Sequence, residues 1–249
     1  MTNIGVFDSG LGGLTVLKEI ANKHKANYFY LGDNKNVPYG NRSNEEIIEL
    51  SKKIVEFLLK KDIDFFIVAC NTISVVAIEN LRKEFDKKFI SITDEAIKEA
   101  LNNKGDVFVM ATNATCKNHA YKNIIEKKSY KKVYEKSCSK LVDFIEEGIV
   151  SGEEIERELK DYLKFANDKK IENIILGCTH YPIIKETIEK NLTYKANIID
   201  PAKILARDIL FEEDENLNIE IYMTDVNEIS QKMTNKIMGE NIEIKELYK

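Results

Sequence analysis

Between Ile4 and Met223 the chain alternates, almost without interruption, between short apolar runs and longer stretches of helical period. This alternation constrains the fold more than any other feature. Strand candidates are Ile4–Phe7, Tyr28–Leu31, Phe65–Ala69, Phe89–Ile92, Val107–Ala111, Ile174–Leu176, Ile198–Ile199 and Ile219–Met223. Amphipathic stretches lie between them, such as 44–60, where Ile47, Ile48, Ile54, Val55 and Leu58 share one face. Ser43-Asn44-Glu45-Glu46 reads as a capping box for that helix, and Ser151-Gly152-Glu153-Glu154 as another before Ile155, Leu159 and Leu163. With only Pro38, Pro182 and Pro201 to interrupt it, the pattern predicts an α/β protein with largely parallel sheets.

The pattern also repeats. IDFFIVACNTISVVAIENL at 63–81 echoes IENIILGCTHYPIIKETIE at 171–189: apolar strand, small residue, cysteine, polar residues with a threonine, then helix. IGVFDSGLGGLTVLKEI at 4–20 pairs in the same way with VFVMATNATCKNHAYKNII at 107–125, each a strand followed by a hydroxyl-rich turn and a helix. Two similar α/β domains facing each other account for both echoes.

Composition narrows the function. Hydrophobic residues at 43% and charged residues at 32% describe a folded chain with a real core. A net charge of −5 argues against a broad nucleic-acid surface. The densest basic cluster, Lys127, Lys128, Lys131, Lys132 and Lys136, reads as a solvated face. No apolar run approaches the roughly 20 residues needed to span a bilayer, and the N-terminus lacks a signal pattern, so a cytoplasmic protein is expected. Cys70, Cys116, Cys138 and Cys178 show no C-x-x-C spacing, and only His24, His119 and His180 are available beside them. Neither a zinc site nor a disulfide framework is therefore expected.

Cys70 and Cys178 each end a predicted strand just ahead of a predicted helix, where open α/β sheets bind their ligands. A helix N-terminus would pull a thiol down from about 8.5 toward neutrality. The residues that follow, Asn71-Thr72 and Thr179-His180, are costly to bury unless they bind something. One nucleophilic cysteine with His180 as base would suit acyl transfer. Disulfide exchange fits poorly with thiols so far apart. Two thiols meeting at a domain interface can instead flank one carbon, one taking a proton and the other delivering one to the opposite face. Asp8-Ser9-Gly10 and Gly10-Leu11-Gly12-Gly13 form a turn whose amides can approach a carboxylate, but Thr15 stands where a dinucleotide fingerprint needs its third glycine. No phosphate-loop lysine motif occurs.

FDSGLGGLTV at 7–16, VPYGNR at 37–42, ACNTIS at 69–74 and GCTHYP at 177–182, with ATNATCKNHAY at 111–121 and CSKLVDFIEEG at 138–148, resemble glutamate racemase over essentially the whole chain. The resemblance implies cofactor-independent interconversion of L- and D-glutamate, supplying D-glutamate for peptidoglycan. It implies two α/β domains related by pseudo-two-fold symmetry with the active site in the cleft between them, the first formed by 1–93 and 205–249 and the second by 94–204. Cys70 and Cys178 match the catalytic acid/bases, while Asp8, His180 and Glu146 match positions that assist them. Ser9, Tyr39, Gly40, Asn71, Thr72, Thr179 and Thr115, together with Asp8 and His180, match substrate-contacting positions, Thr115 in preference to Thr112. Glutamate is the implied partner; no metal, nucleic acid or membrane is implied, and a homodimer stays open. Ser139 and Asp143 replace prolines found in many members, and ITDEA at 92–96 departs from the commoner His-Pro-Gly linker. An aspartate racemase of the same superfamily and a non-catalytic amino-acid binder are the competing readings.

Overall fold

The computed structural model describes residues 1–239 and 241–247. Glu240, Tyr248 and Lys249, part of the C-terminal segment assigned above to the first domain, lie outside the described residues. Among the described residues ten strands form two sheets: β1 (Asn3–Asp8), β2 (Asn27–Gly32), β3 (Phe65–Val68), β4 (Lys88–Ser91), β5 (Val107–Ala111), β6 (Val133–Ser137), β7 (Asn173–Gly177), β8 (Asn197–Ile199), β9 (Asn218–Met223) and β10 (Ile244–Glu246). The larger sheet has the order β10-β9-β2-β1-β3-β4 and the smaller β6-β5-β7-β8. All neighbouring pairs are parallel.

Within each sheet the first four strands in chain order share one topology. The first strand is central, the second lies on one side of it, and the third and fourth lie on the other. The two sequence echoes fall on equivalent strands, β1 with β5 and β3 with β7. The two sheets thus repeat one architecture, with β9 and β10 added beside β2.

Parallel strands buried on both faces need apolar residues at nearly every position. In β1, Ile4 and Val6 enter one core with Tyr28, Tyr30, Phe65 and Ile67, while Phe7 enters the opposite core with Phe29, Leu31, Phe66 and Val68. The first of these cores continues into Phe108, Met110, Ile174 and Leu176 of the smaller sheet, so one apolar body joins the two. Val107, Val109, Ala111 and Ile175 pack against the smaller sheet's other face.

Two strands escape the sequence pattern. β6 and β10 are edge strands, and β6 buries only Val133 fully, so neither shows a continuous apolar run. The helix Asn44–Leu58 carries the expected reciprocal cap between Ser43 and Glu46. The Ser151 capping box does not form. Gly152, at φ 114°, is the N-cap of Glu153–Lys169, so Ser151 lies one residue outside the position from which its hydroxyl could cap the helix. In the basic cluster, Lys127, Lys128 and Lys132 are exposed, Lys131 donates to the Asn103 carbonyl, and Lys136 pairs with Asp161. No helix among the described residues is long and apolar enough to cross a membrane.

Candidate active site

The strand order of each sheet reverses between its first and third strands, and in such sheets a crevice opens beyond the carboxyl ends there. β1 and β3 deliver Asp8 and Cys70 to this point; β5 and β7 deliver Thr112 and Cys178. A single cavity of about 30 Å³ is lined by Ser9, Tyr39, Gly40, Cys70, Asn71, Thr72, Thr112, Cys178, Thr179 and His180. Asp8 and Glu146 stand behind this lining, each beside a lining residue.

On one wall the Cys70 thiol donates to Ser9 Oγ at 3.5 Å. Asp8 is fully buried behind it; Oδ2 accepts from the amides of Gly13 at 2.8 Å and Gly10 at 3.3 Å, while Oδ1 has no hydrogen-bond partner among the described residues. The glycine turn thus serves the protein's own carboxylate rather than a ligand's, contrary to the sequence expectation. Gly13 is needed there because a Cβ would come within 2.5 Å of the Asp8 Cβ. Burial pushes the Asp8 carboxyl above its ordinary range, against the opposing charge of His180 and the amides of Gly13 and Gly10. Cys70 is the N-cap of Asn71–Val76, yet its thiol is pushed up, first by burial and then by the Asp8 charge. Desolvation outweighs the short helix's dipole, which corrects the expectation of a thiol drawn toward neutrality.

The opposite wall uses an imidazole. His180 Nδ1 lies 3.5 Å from Cys178 Sγ, and Nε2 lies 2.6 Å from Glu146 Oε1. Burial alone would depress the ionisation of His180; the hydrogen bonds and charges of Cys178 and Glu146 outweigh it and raise it well above its ordinary value. Cys178 does not stand at a helix N-terminus. Residues 178–180 form a turn, Tyr181–Ile184 a 3₁₀ segment with Pro182 at its start, and the α-helix runs only over Lys185–Lys190. A side chain, His180, stands beside its sulfur instead. Ser139 and Asp143 leave the local backbone intact, since Lys140–Glu146 is a regular helix that carries Glu146 to His180 and Asp143 to the cavity. ITDEA opens the helix Ile92–Asn102.

The two walls also touch through hydroxyls: Thr72 Oγ1 and Thr112 Oγ1 are 2.9 Å apart. Thr112 in turn donates to Thr115 Oγ1 at 3.0 Å, which places Thr112 on the cavity wall and Thr115 behind it, the reverse of the sequence preference. Two supporting residues escaped the sequence reading. Asp33, at the end of β2, accepts from Tyr39 Oη and Thr224 Oγ1, both at 2.7 Å, and from Asn36 Nδ2 at 3.0 Å. Tyr121 donates to Asn71 Oδ1 at 2.6 Å. An acid closing a β-strand, as Asp8 does, was the available signal for Asp33. No three His, Cys, Asp or Glu side chains among the described residues converge on a metal-binding geometry.

This cleft, shared by two like-wound parallel sheets and lined by a thiol from each, defines a class. The chain belongs to the Asp/Glu/hydantoin racemase family, whose model matches residues 4–209. Within it the chain groups with the glutamate racemases and is an isomerase. It is 39% identical to the glutamate racemase of Persephonella marina, covering 98% of this chain and 96% of that protein. The crystal structure of the Francisella tularensis glutamate racemase in complex with D-glutamate superposes with a TM-score of 0.90 at 33% identity, covering 99% of this chain and 97% of that one. The Aquifex pyrophilus glutamate racemase gives 0.85 at 37% identity, covering 98% of each.

Proposed function

We propose that this chain interconverts L- and D-glutamate without a cofactor, using Cys70 and Cys178 as an acid/base pair on opposite faces of the α-carbon. The observation that carries the proposal is the single cavity bordered by both sulfurs, with a proton-handling partner behind each: Asp8 for Cys70, and His180 backed by Glu146 for Cys178. One cysteine, as thiolate, removes the α-proton; the other, as thiol, returns a different proton to the opposite face. The product is the mirror image and the two sulfurs have exchanged protonation states.

The buried Asp8 carboxyl, raised in basicity, is suited to accept the Cys70 proton before attack. His180 holds the Cys178 proton through Nδ1 while Glu146 stabilises the charged ring at Nε2. By family resemblance Cys70 acts on D-glutamate and Cys178 on L-glutamate. Ser9, Tyr39-Gly40, Asn71-Thr72 and Thr179 are the proposed contacts for the substrate's carboxylates and ammonium, with Thr112 taking the place assigned to Thr115. Domains of 1–93 with 205–249 and of 94–204 are supported by the division of strands between the sheets. The proposed role is supply of D-glutamate to cell-wall peptide in the cytoplasm.

Chelator-treated protein free of pyridoxal phosphate, incubated with either enantiomer of glutamate, tests this by circular dichroism and chiral chromatography. Both directions should run to an equal mixture, with aspartate turned over far less well. An absolute requirement for an added cofactor, or a preference for aspartate, would reject the proposal.

A further inference from the structure

Asn71 follows Cys70 directly and lines the cavity, but its hydrogen bonding is lopsided. Oδ1 accepts a 2.6 Å bond from the phenol of Tyr121, whereas Nδ2 has no partner among the described residues. Asn71 is 2% exposed and Tyr121 0%, so neither group faces bulk solvent. A buried amide donor left unpaired is costly and calls for a ligand. Tyr121 lies in the helix Ala120–Lys128, after β5 of the smaller sheet, while Asn71 follows β3 of the larger. The bond therefore crosses between the two halves of the cleft.

The phenol has one proton to give, and burial keeps it protonated. While it donates to Oδ1, turning the amide would bring Nδ2 to the phenol oxygen, which can accept from it, but would take away the acceptor of the phenol proton. The NH₂ group is accordingly held away from Tyr121.

We propose that Tyr121 is a positioning residue for substrate binding: its phenol locks the Asn71 amide so that Nδ2 is presented to a carboxylate of the amino acid in the cleft. This rests on reading the cleft as a glutamate site. Because the lock comes from the opposite half, Asn71 is correctly presented only when the halves are seated together. Carboxylate recognition is thereby tied to closure of the cleft.

Steady-state kinetics with D-glutamate test the proposal. Tyr121→Phe keeps the ring and removes only the donor, and should raise KM by about 3- to 10-fold with kcat within about twofold, the pattern of a lost binding contact. Asn71→Ala should raise KM at least as much. The double variant should match Asn71→Ala alone, because Tyr121 then has nothing left to position; Asn71→Ser serves the same cycle should the alanine variant fail to fold. Wild-type kinetics for Tyr121→Phe would overturn the proposal. So would multiplied effects in the double variant, or a loss of kcat at unchanged KM. A wild-type protein inactive on glutamate would instead reject the functional reading, so the two failures are told apart by the control.

Discussion

His180 stands 2.6 Å from Glu146, nitrogen to carboxylate oxygen, with its other ring nitrogen turned to Cys178. The contact is mostly buried, and with Cys178 on the other side of the ring it holds His180 well above its ordinary ionisation against the opposing effect of burial. Replacing Glu146 by Gln keeps the shape and removes the charge. We expect kcat to fall about 10- to 100-fold with KM little changed. A raised KM at unchanged kcat would make Glu146 a binding residue.

The same pair has a signature in stability. A histidine whose ionisation is raised by folding contributes stability that is fully present below the unfolded value of about 6.5 and is lost as pH rises through the folded value. Thermal melts from about pH 6 upward should therefore show the wild type losing stability relative to His180→Asn, with Glu146→Gln losing less than the wild type. Parallel curves for all three would rule this out.

Much of this arrangement was legible in the chain, and the omissions have physical causes. Strands buried on both faces, such as β1, β3 and β7, announce themselves as continuous apolar runs ending in Asp8, Cys70 and Cys178. The half-solvated edges β6 and β10 do not. Motif matching found the residues that reach the cleft, with Asp8 and Glu146 behind them, but gave no role to two others that hold lining residues. Asp33, six residues before Tyr39, falls outside the quoted motifs, and Tyr121 closes the one at 111–121 with nothing in the string to show that it reaches Asn71. The glycine turn was misread because an amide able to bind any carboxylate gives no sign in sequence that the carboxylate is Asp8. The Cys70 thiol was misjudged because helix position is readable locally, whereas complete burial beside Asp8 is a property of the assembled cleft.

Asp8 should show a conflict between stability and activity. Its raised ionisation means that charging it costs folding energy at every pH above the unfolded value of about 3.9, and that this cost vanishes below. Asp8→Asn should therefore raise Tm at neutral pH by roughly 2–4 °C, with no gain in strong acid, while racemisation falls. Activity near wild type would remove Asp8 from the proton-handling set, whatever the change in Tm.

Gly12 offers a test of geometry without chemistry. A Cβ there would stand 2.4 Å from Thr179 Oγ1 and 2.7 Å from His180 Nδ1, and no strained backbone angle compels glycine at this position. Alanine must then displace the side chains that serve Cys178. We expect a loss of roughly 100-fold in kcat/KM with a cooperative melt retained, since displacements near 1 Å have effects of that order. Unimpaired turnover would show that His180 need not occupy its observed position.

The two-thiol arrangement is tested most directly by removing each sulfur in turn. Cys70→Ala and Cys178→Ala should both abolish racemisation, because inversion needs removal on one face and delivery on the other. They should differ in exchange. With Cys70 assigned to D-glutamate, Cys178→Ala should still wash deuterium into D-glutamate with retention, provided the Cys70 thiol equilibrates with solvent before the proton returns. Cys70→Ala should show the mirror preference, washing deuterium into L-glutamate through Cys178 and its His180 partner. Proton NMR in D₂O followed by chiral analysis reads both outcomes. Racemisation near the wild-type rate by either alanine variant would mean that one sulfur is dispensable, and the acid/base pair would have to be assigned elsewhere.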